Sequence, residues 1–283
     1  MTGNPDVAAN ECEPVRGQTA LHAAVATEHV PCELLVRLVP ASDAEVPGVL
    51  RADNEGCTAL HGAAARGQLD AVQVLLSLAD AESEARRLSH KRVTPLAAAC
   101  RRGHADVARL LVQVSGLDPR AVYLCLVKDR GLLLDELLRM DQLRHGATDG
   151  EVDSKGGSAG GVNCCFATDG VSALMMAAEA GELEVTRALL ALGADAGAYD
   201  SDGQTALMRA AFFGHTKLVA ALVHASAQVN AVDGAGNSAL HHAGRGAQEA
   251  TFLLLELRHG ADTALANALG EVPSLSEEPC RMQ

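Results

Sequence analysis

Residues 202–229 read DGQTALMRAAFFGHTKLVAALVHASAQV, and their reading decides the fold. Asp202-Gly203 is a turn pair whose glycine accepts a positive φ. Thr205 is a hydroxyl residue placed to cap a helix start, and Ala206 to Ala211 continue as a short helix. Gly214 ends it, since a left-handed residue is cheap only without a Cβ. Leu218, Val219, Leu222 and Val223 then fall on one face of a second helix. Each helix has only about two to three turns, too short to be stable alone in water. The stretch therefore needs neighbours of its own kind.

The chain supplies them at a fixed step. SALMMAA (172–178), TALMRAA (205–211) and SALHHAG (238–244) place their hydroxyl residues 33 apart. A period in this range predicts an all-α repeat solenoid, in which each short helix pair is ordered by the next. Three further copies lie upstream: TALHAA (19–24), TALHGAA (58–64) and TPLAAACRRGH (94–104). The shared pattern is Thr-Ala/Pro-Leu-His-x-Ala-Ala-x-x-Gly-His, then an apolar pair, with Gly-Ala-Asp at 193–195 and 260–262. Over most of residues 17–270 it resembles the ankyrin repeat. The resemblance implies a right-handed stack of about seven helix-turn-helix units with short β-hairpin tips. It also implies a concave face built from hairpin tips and first helices, used to recognise other proteins.

Departures from the period divide the chain. Residues 1–16 are a polar N-terminal segment. Repeats one to four span 17–141, with Thr19, Thr58 and Thr94 as hydroxyls of the first three. Thr27 stands where the family has Gly, and the second helix of repeat one is expected around Pro31 to Val39. The longer second step adds a charged stretch, Glu82 to Arg92. The fourth copy, 119–140, is degenerate: Gly131 sits nine residues after Val122, as Gly103 does after Thr94, and no capping hydroxyl is present. Residues 142–168 hold Gly156-Gly157 and Gly160-Gly161 among polar residues and read as a flexible loop, budding from one stack or hinging two. Repeats five to seven and a C-terminal capping hairpin with a failing helix (Ala261–Leu275) fill 169–275, and 276–283 is a polar tail.

Composition narrows the function. Hydrophobic residues make up 48% of the chain but aromatics only 2%, with no Trp, which suits thin Ala- and Leu-rich helices better than a sandwich or barrel. Net charge is −13, split as −4 before residue 150 and −9 after it, which argues against nucleic acid as a partner. No apolar run reaches about 18 residues, so no membrane span is expected. The N-terminus MTGNPDVAANECEP is polar and does not read as a signal peptide. The eight cysteines (12, 32, 57, 100, 125, 164, 165, 280) form no Cys-x-x-Cys and read as reduced thiols of the cytoplasm or nucleus. Cys164-Cys165 in the Gly-rich stretch is the one odd pair, open to metal binding or oxidation but without a partner cluster.

No catalytic constellation is visible. The chain lacks a nucleophile elbow, a P-loop, a kinase signature and His-Glu-x-x-His. It is read as a non-enzyme without metal or cofactor. His22, His61 and His241 stand three residues after a Thr or Ser, where the resemblance implies a structural hydrogen bond; Met175, Met208, Ala97 and Cys125 replace that His elsewhere. His104 and His215 follow the interhelix Gly.

Candidate partner-binding residues follow from motif position. They are Arg66, Arg101, Arg102, Glu179, Arg209, Phe212, Phe213 and Arg245 on first helices, with Asp200, Asp202 and Asp233 at tips. Ala26, Ala65, Ala180, Asp53, Asn54, Glu55, Ser201, Gly234 and Ala235 share these positions. Phe212-Phe213 is the sharpest feature, because the chain has only four Phe and exposed aromatics mark interface centres. Its plainer reading is that one ring packs on the next repeat and the other is half covered. Arg101-Arg102 reads as a carboxylate grip or as a solvated face. The resemblance adds Asn230 as a hairpin asparagine of a kind hydroxylated in some family members, although Gln228 replaces the usual acid. The expected function is a monomeric, non-catalytic scaffold or adaptor that binds a partner protein. The alternative is a regulatory or targeting part of a signalling or ubiquitin/proteasome-linked enzyme assembly.

Overall fold

Six hydroxyl residues set the first-helix starts. In this computed structural model Thr19, Thr58, Thr94, Ser172, Thr205 and Ser238 are N-caps in extended backbone conformation. The structure describes residues 17–27, 32–38, 51–78, 80–128, 131–145, 161–166 and 168–275. The expected segments 1–16 and 276–283, Pro31, Val39, Cys12, Cys280 and the middle of the Gly-rich stretch lie outside the described residues. The chain divides into two compact units, Met1–Ala147 and Thr148–Gln283.

Unit 1 has two layers of short helices. The first layer is α1 (Ala20–Val25), α3 (Ala59–Arg66), α6 (Pro95–Arg102) and α8 (Pro119–Val127), each packed on the next. The second is α2 (Cys32–Leu38), α4 (Leu69–Ser77), α7 (Ala105–Ser115) and α9 (Gly131–His145). Leu21, Leu60 and Leu96 occupy the same place in three first helices and are fully buried. Leu35, Leu75, Leu111 and Leu137 close the core from the second layer. A fully buried Leu contributes about 1.5–3 kcal/mol, so an apolar stripe on each helix suffices without aromatic residues.

Two local readings change in unit 1. The added charged stretch forms a further helix, α5 (Ala81–Ala85), packed on α4 and α7. Glu84 is buried there with Oε1 taking Arg87 Nη1 at 2.9 Å, and burial raises its carboxyl pKa. The degenerate copy also starts earlier than its glycine spacing implies. Asp118 caps α8 through Ala121 N–H (2.8 Å), with Pro119 in the first turn as Pro95 is in α6. A carboxylate thus does the work of the missing hydroxyl, and Thr94 Oγ1 donates to it at 2.6 Å.

Unit 2 repeats the plan more regularly. Its first helices are α10 (Ala173–Ala180), α12 (Ala206–Phe212) and α14 (Ala239–Arg245); its second helices are α11 (Leu183–Ala191), α13 (Thr216–His224) and α15 (Glu249–His259). α10 packs on α12 and α12 on α14, and Ala177, Ala210, Ala211 and Ala243 on these helices are all fully buried, small side chains that suit a close approach. Successive turns are joined by backbone bonds: Ser201 N–H to Asp169 O, Gly234 N–H to Asp202 O and Ala268 N–H to Ala235 O. Isolated bridges Cys165–Ser172, Tyr199–Thr205 and Val232–Ser238 close the turns. No strand occurs among the described residues.

The end of unit 2 departs from expectation. No helix forms over 261–275; Gly270 adopts φ 79° and Pro273 removes a donor. Instead Asn267 N–H bonds Glu271 O in a turn, and the chain runs on with Pro273 buried. The flanks of the Gly-rich stretch are ordered too: α9 reaches His145, and a 3-10 turn spans Gly161–Asn163.

Candidate interaction face of unit 2

The site grows from one turn geometry written twice. Asp200 Oδ1 accepts the N–H groups of Asp202 (3.0 Å) and Gln204 (2.8 Å), which shapes the turn before α12. Asp233 Oδ1 does the same for Ala235 (2.9 Å) and Asn237 (2.8 Å) before α14. Each carboxylate has a second oxygen left, and each meets a side chain nine residues on. Asp200 Oδ2 takes Arg209 Nη2 at 2.7 Å; Asp233 Oδ2 takes His242 Nε2 at 2.9 Å. In unit 1 the same turn exists at Asp53, which binds the N–H groups of Glu55 and Cys57 at 2.9 Å. There the position nine residues on is Gly62, with no side chain to reach back.

Arg209 links three segments. Its Nη1 donates to Glu179 Oε2 at 2.7 Å, across to α10, while Nη2 holds Asp200. Asp200 is buried and Glu179 is half exposed, so the inner arm of this pair carries most of its worth. Burial pushes the His242 pKa below its ordinary value, partly offset by Asp233. Burial alone raises Asp233, but the Asn237 N–H, the His242 ring and the Asn237 amide outweigh it and hold the carboxyl below its usual range.

Beside these pairs lies a cavity of about 290 Å³, lined by Glu179, Gln204, Arg209, Phe212, Phe213, His242 and Arg245. The two Phe rings meet edge to face with centroids 5.2 Å apart, and Phe213 stacks on His215 at 6.1 Å. His215 is itself fixed, since its Nε2 donates to Glu179 O at 3.2 Å and its ring fills the space beside Gly181 (φ 74°), where a Cβ would collide. Phe213 is 37% exposed and Arg245 is exposed.

The sequence candidates thus separate. Glu179, Arg209, Phe212, Phe213 and Arg245 meet around one cavity. Asp200 and Asp233 are turned inward and bind their own repeat, with backbone N–H groups on one oxygen and a side-chain N–H donor, Arg209 or His242, on the other. Asp202 is exposed, with its backbone engaged in the turns. Arg66, Arg101 and Arg102 are exposed in unit 1. Arg66 Nη1 folds back onto Gly62 O at 3.1 Å, and Arg102 borders a cavity of about 730 Å³ with Leu132 and Asp135. Gln204 and His242 were not legible as lining residues. The signal for His242 was an acid five residues before a cap and a basic residue four after it, in two successive copies.

The remaining polar residues have structural partners. Thr58 N–H and hydroxyl bond His61 Nδ1 at 3.1 and 3.0 Å, and His61 Nε2 donates to Val93 O at 3.0 Å. His22 and His241 repeat this with Cys57 O and Glu271 O. At Met208 the sulfur takes the ring's place, 3.5 Å from Thr205 N, so this copy keeps a weak version of the bond. Asn230 is exposed and its Oδ1 accepts Asp262 N–H at 2.9 Å. Burial, then Asp169, push the Cys165 thiol pKa up, opposite to what a reactive thiolate needs. Among the described residues no three His, Cys, Asp or Glu side chains are grouped to hold a metal ion.

The period, the caps and the helix pairing find their counterpart among known families. The family description "Ankyrin repeats (3 copies)" matches residues 3–87, 152–233 and 174–267, and "Ankyrin repeat" matches residues 92–122. These matches span most of the chain, which therefore belongs to the ankyrin-repeat family.

Proposed function

We propose that the chain is a non-catalytic scaffold or adaptor that docks a partner protein on the Glu179–Arg209–Phe213–Arg245 face of unit 2. Ankyrin repeats are generally protein–protein interaction modules, and the geometry of this face supports the reading. The observation that carries the reading is an exposed aromatic edge, Phe213, at the rim of a cavity whose walls are already held by ion pairs and hydrogen bonds. A surface fixed beforehand loses little entropy on binding, and exposed aromatic anchors concentrate binding energy. All lining residues come from one unit of one copy, so a monomer suffices. The acidic balance of −13 supports a protein rather than nucleic acid as the ligand. No helix among the described residues is long and apolar enough to cross a membrane. A cytoplasmic or nuclear setting accords with the thiol-rich composition.

The test is affinity capture from a lysate of the source organism with the intact chain and with Phe213→Asp, read by mass spectrometry. Proteins retained by the intact chain and lost with the variant are the expected outcome. Identical sets of captured proteins would remove this face from the function.

A further inference from the structure

We propose that the cavity beside Phe213 receives a single acidic side chain of the partner, Asp or Glu, next to an apolar one. Arg245 holds the carboxylate, and the Phe212–Phe213 pair covers the apolar neighbour. This inference rests on the docking reading above and names the chemistry of what docks.

The charges around the cavity decide it. Both terminal nitrogens of Arg209 are taken, by Asp200 and Glu179 at 2.7 Å each. His242 donates Nε2–H to Asp233, and burial disfavours a charge on its ring. Asp233 is filled by His242 and by the N–H groups of Ala235 and Asn237. Arg245 is what remains: an exposed guanidinium in the last turn of α14, with no acceptor among the described residues. A guanidinium presents a planar fork that fits a carboxylate. The adjoining wall is Phe213, whose exposed edge favours an aliphatic or aromatic group.

The opposite chemistry fits worse. A partner Lys or Arg in the cavity meets Arg245 as a like charge, and the available carboxylate, Glu179, is already shared with Arg209. A run of acids is also disfavoured, because the chain carries −13 and repels an acidic tract at long range. One acid is different: within roughly a Debye length of 8 Å the local cation dominates. The ligand class is therefore a peptide segment with one Asp or Glu beside Leu, Met, Phe or Tyr, and neutral or basic residues around it.

The probe is a library of random peptides displayed on phage, selected in parallel on the intact chain, on Arg245→Glu and on Phe213→Asp. Both side chains are exposed, and the helical circular-dichroism signal of each variant verifies its fold. The expected result is an Asp or Glu next to an apolar residue in the pool from the intact chain. A synthetic peptide from that pool should bind about tenfold more tightly than its Asn or Gln counterpart, and Arg245→Glu should abolish that preference. If the acid is absent from the pool, or persists with Arg245→Glu, the carboxylate assignment is overturned. Loss of all enrichment with Phe213→Asp would then leave the docking reading standing. If no peptide is enriched, or enrichment is indifferent to Phe213→Asp, both readings fall together.

Discussion

His61 shows how one side chain serves both a cap and a repeat interface. Its Nδ1 faces Thr58 and its Nε2 faces the Val93 carbonyl of the next repeat, so the neutral ring with the proton on Nε2 fits and the doubly protonated ring does not. Burial accordingly lowers its pKa from the ordinary 6.5 to about 4. Between those values the unfolded chain binds the proton and the folded chain does not, so stability falls as pH drops through that window and levels off below it. That drop corresponds to at most about 3–4 kcal/mol. Glu84 and Asp118 act in the opposite sense. Burial raises both carboxyls, so the folded state takes up their protons first and gains stability as pH falls. The contribution of His61 is therefore read as a difference. Urea unfolding of the intact chain and of His61→Gln, compared at neutral pH and near pH 4.5, should show the advantage of His61 shrinking with acid. An advantage independent of pH would mean that the ring titrates alike in the folded and unfolded chain, and one that grows with acid would mean that it is charged in the fold.

At the scale of the element, a turn is tied to the helix that follows it by a single aspartate. Asp200 shapes its turn through two N–H bonds and fixes Arg209 on α12, whereas Asp202, two residues on, points into solvent. Asp200→Ala strands a largely buried guanidinium and two turn N–H groups and should cost about 2–4 kcal/mol. Asp202→Ala should cost less than about 0.5 kcal/mol. Thermal melts of the two variants check this, and equal effects would make the Asp200–Arg209 pair incidental. The contrast marks where sequence reading stops. The helix starts were legible because a cap needs a hydroxyl and the copies align. The buried stripes were legible because Leu recurs at one place. Asp200 and Asp202 look alike in the sequence, and only the path of the turn decides which carboxylate faces inward. Similarly, nothing in the charged stretch Glu82 to Arg92 marks Glu84 as the buried acid, yet its pairing with Arg87 allows α5 to pack on α4 and α7. The gathering of Glu179, Arg209, Phe213 and Arg245 was half legible. Motif position put each on a free face, but their shared cavity depends on how neighbouring first helices pack.

At the scale of the whole molecule, the repeats inside each compact unit lean on one another, and the first helix α14 leans on something else. Interior first helices carry Ala178 and Ala211 where α14 carries Gly244. The reason is the neighbour. Ala178 and Ala211 are fully buried on helices that each pack against a following first helix, while Gly244 faces the backbone of the extended 271–275 segment, whose Ser274 carbonyl leaves no room for a Cβ. That segment thus replaces a further repeat by lying directly on α14. The sign of one substitution tests it. Inside a helix Gly→Ala ordinarily stabilises by about 1 kcal/mol. Gly244→Ala should instead destabilise by about 1–3 kcal/mol, since the added methyl pushes Ser274 and the buried Pro273 away. Hydrogen exchange should locate the loss at 267–275 and in α14 and α15. Amides of α3 to α6 should keep their protection, because in a repeat array a perturbation acts chiefly on adjacent units. Gly62→Ala in α3 is the control: its added Cβ approaches only the side chains of Arg66 and Val25, and propensity should dominate. A raised melting temperature for Gly244→Ala would mean that 271–275 does not press on α14, and that the last repeat is stabilised without a cap.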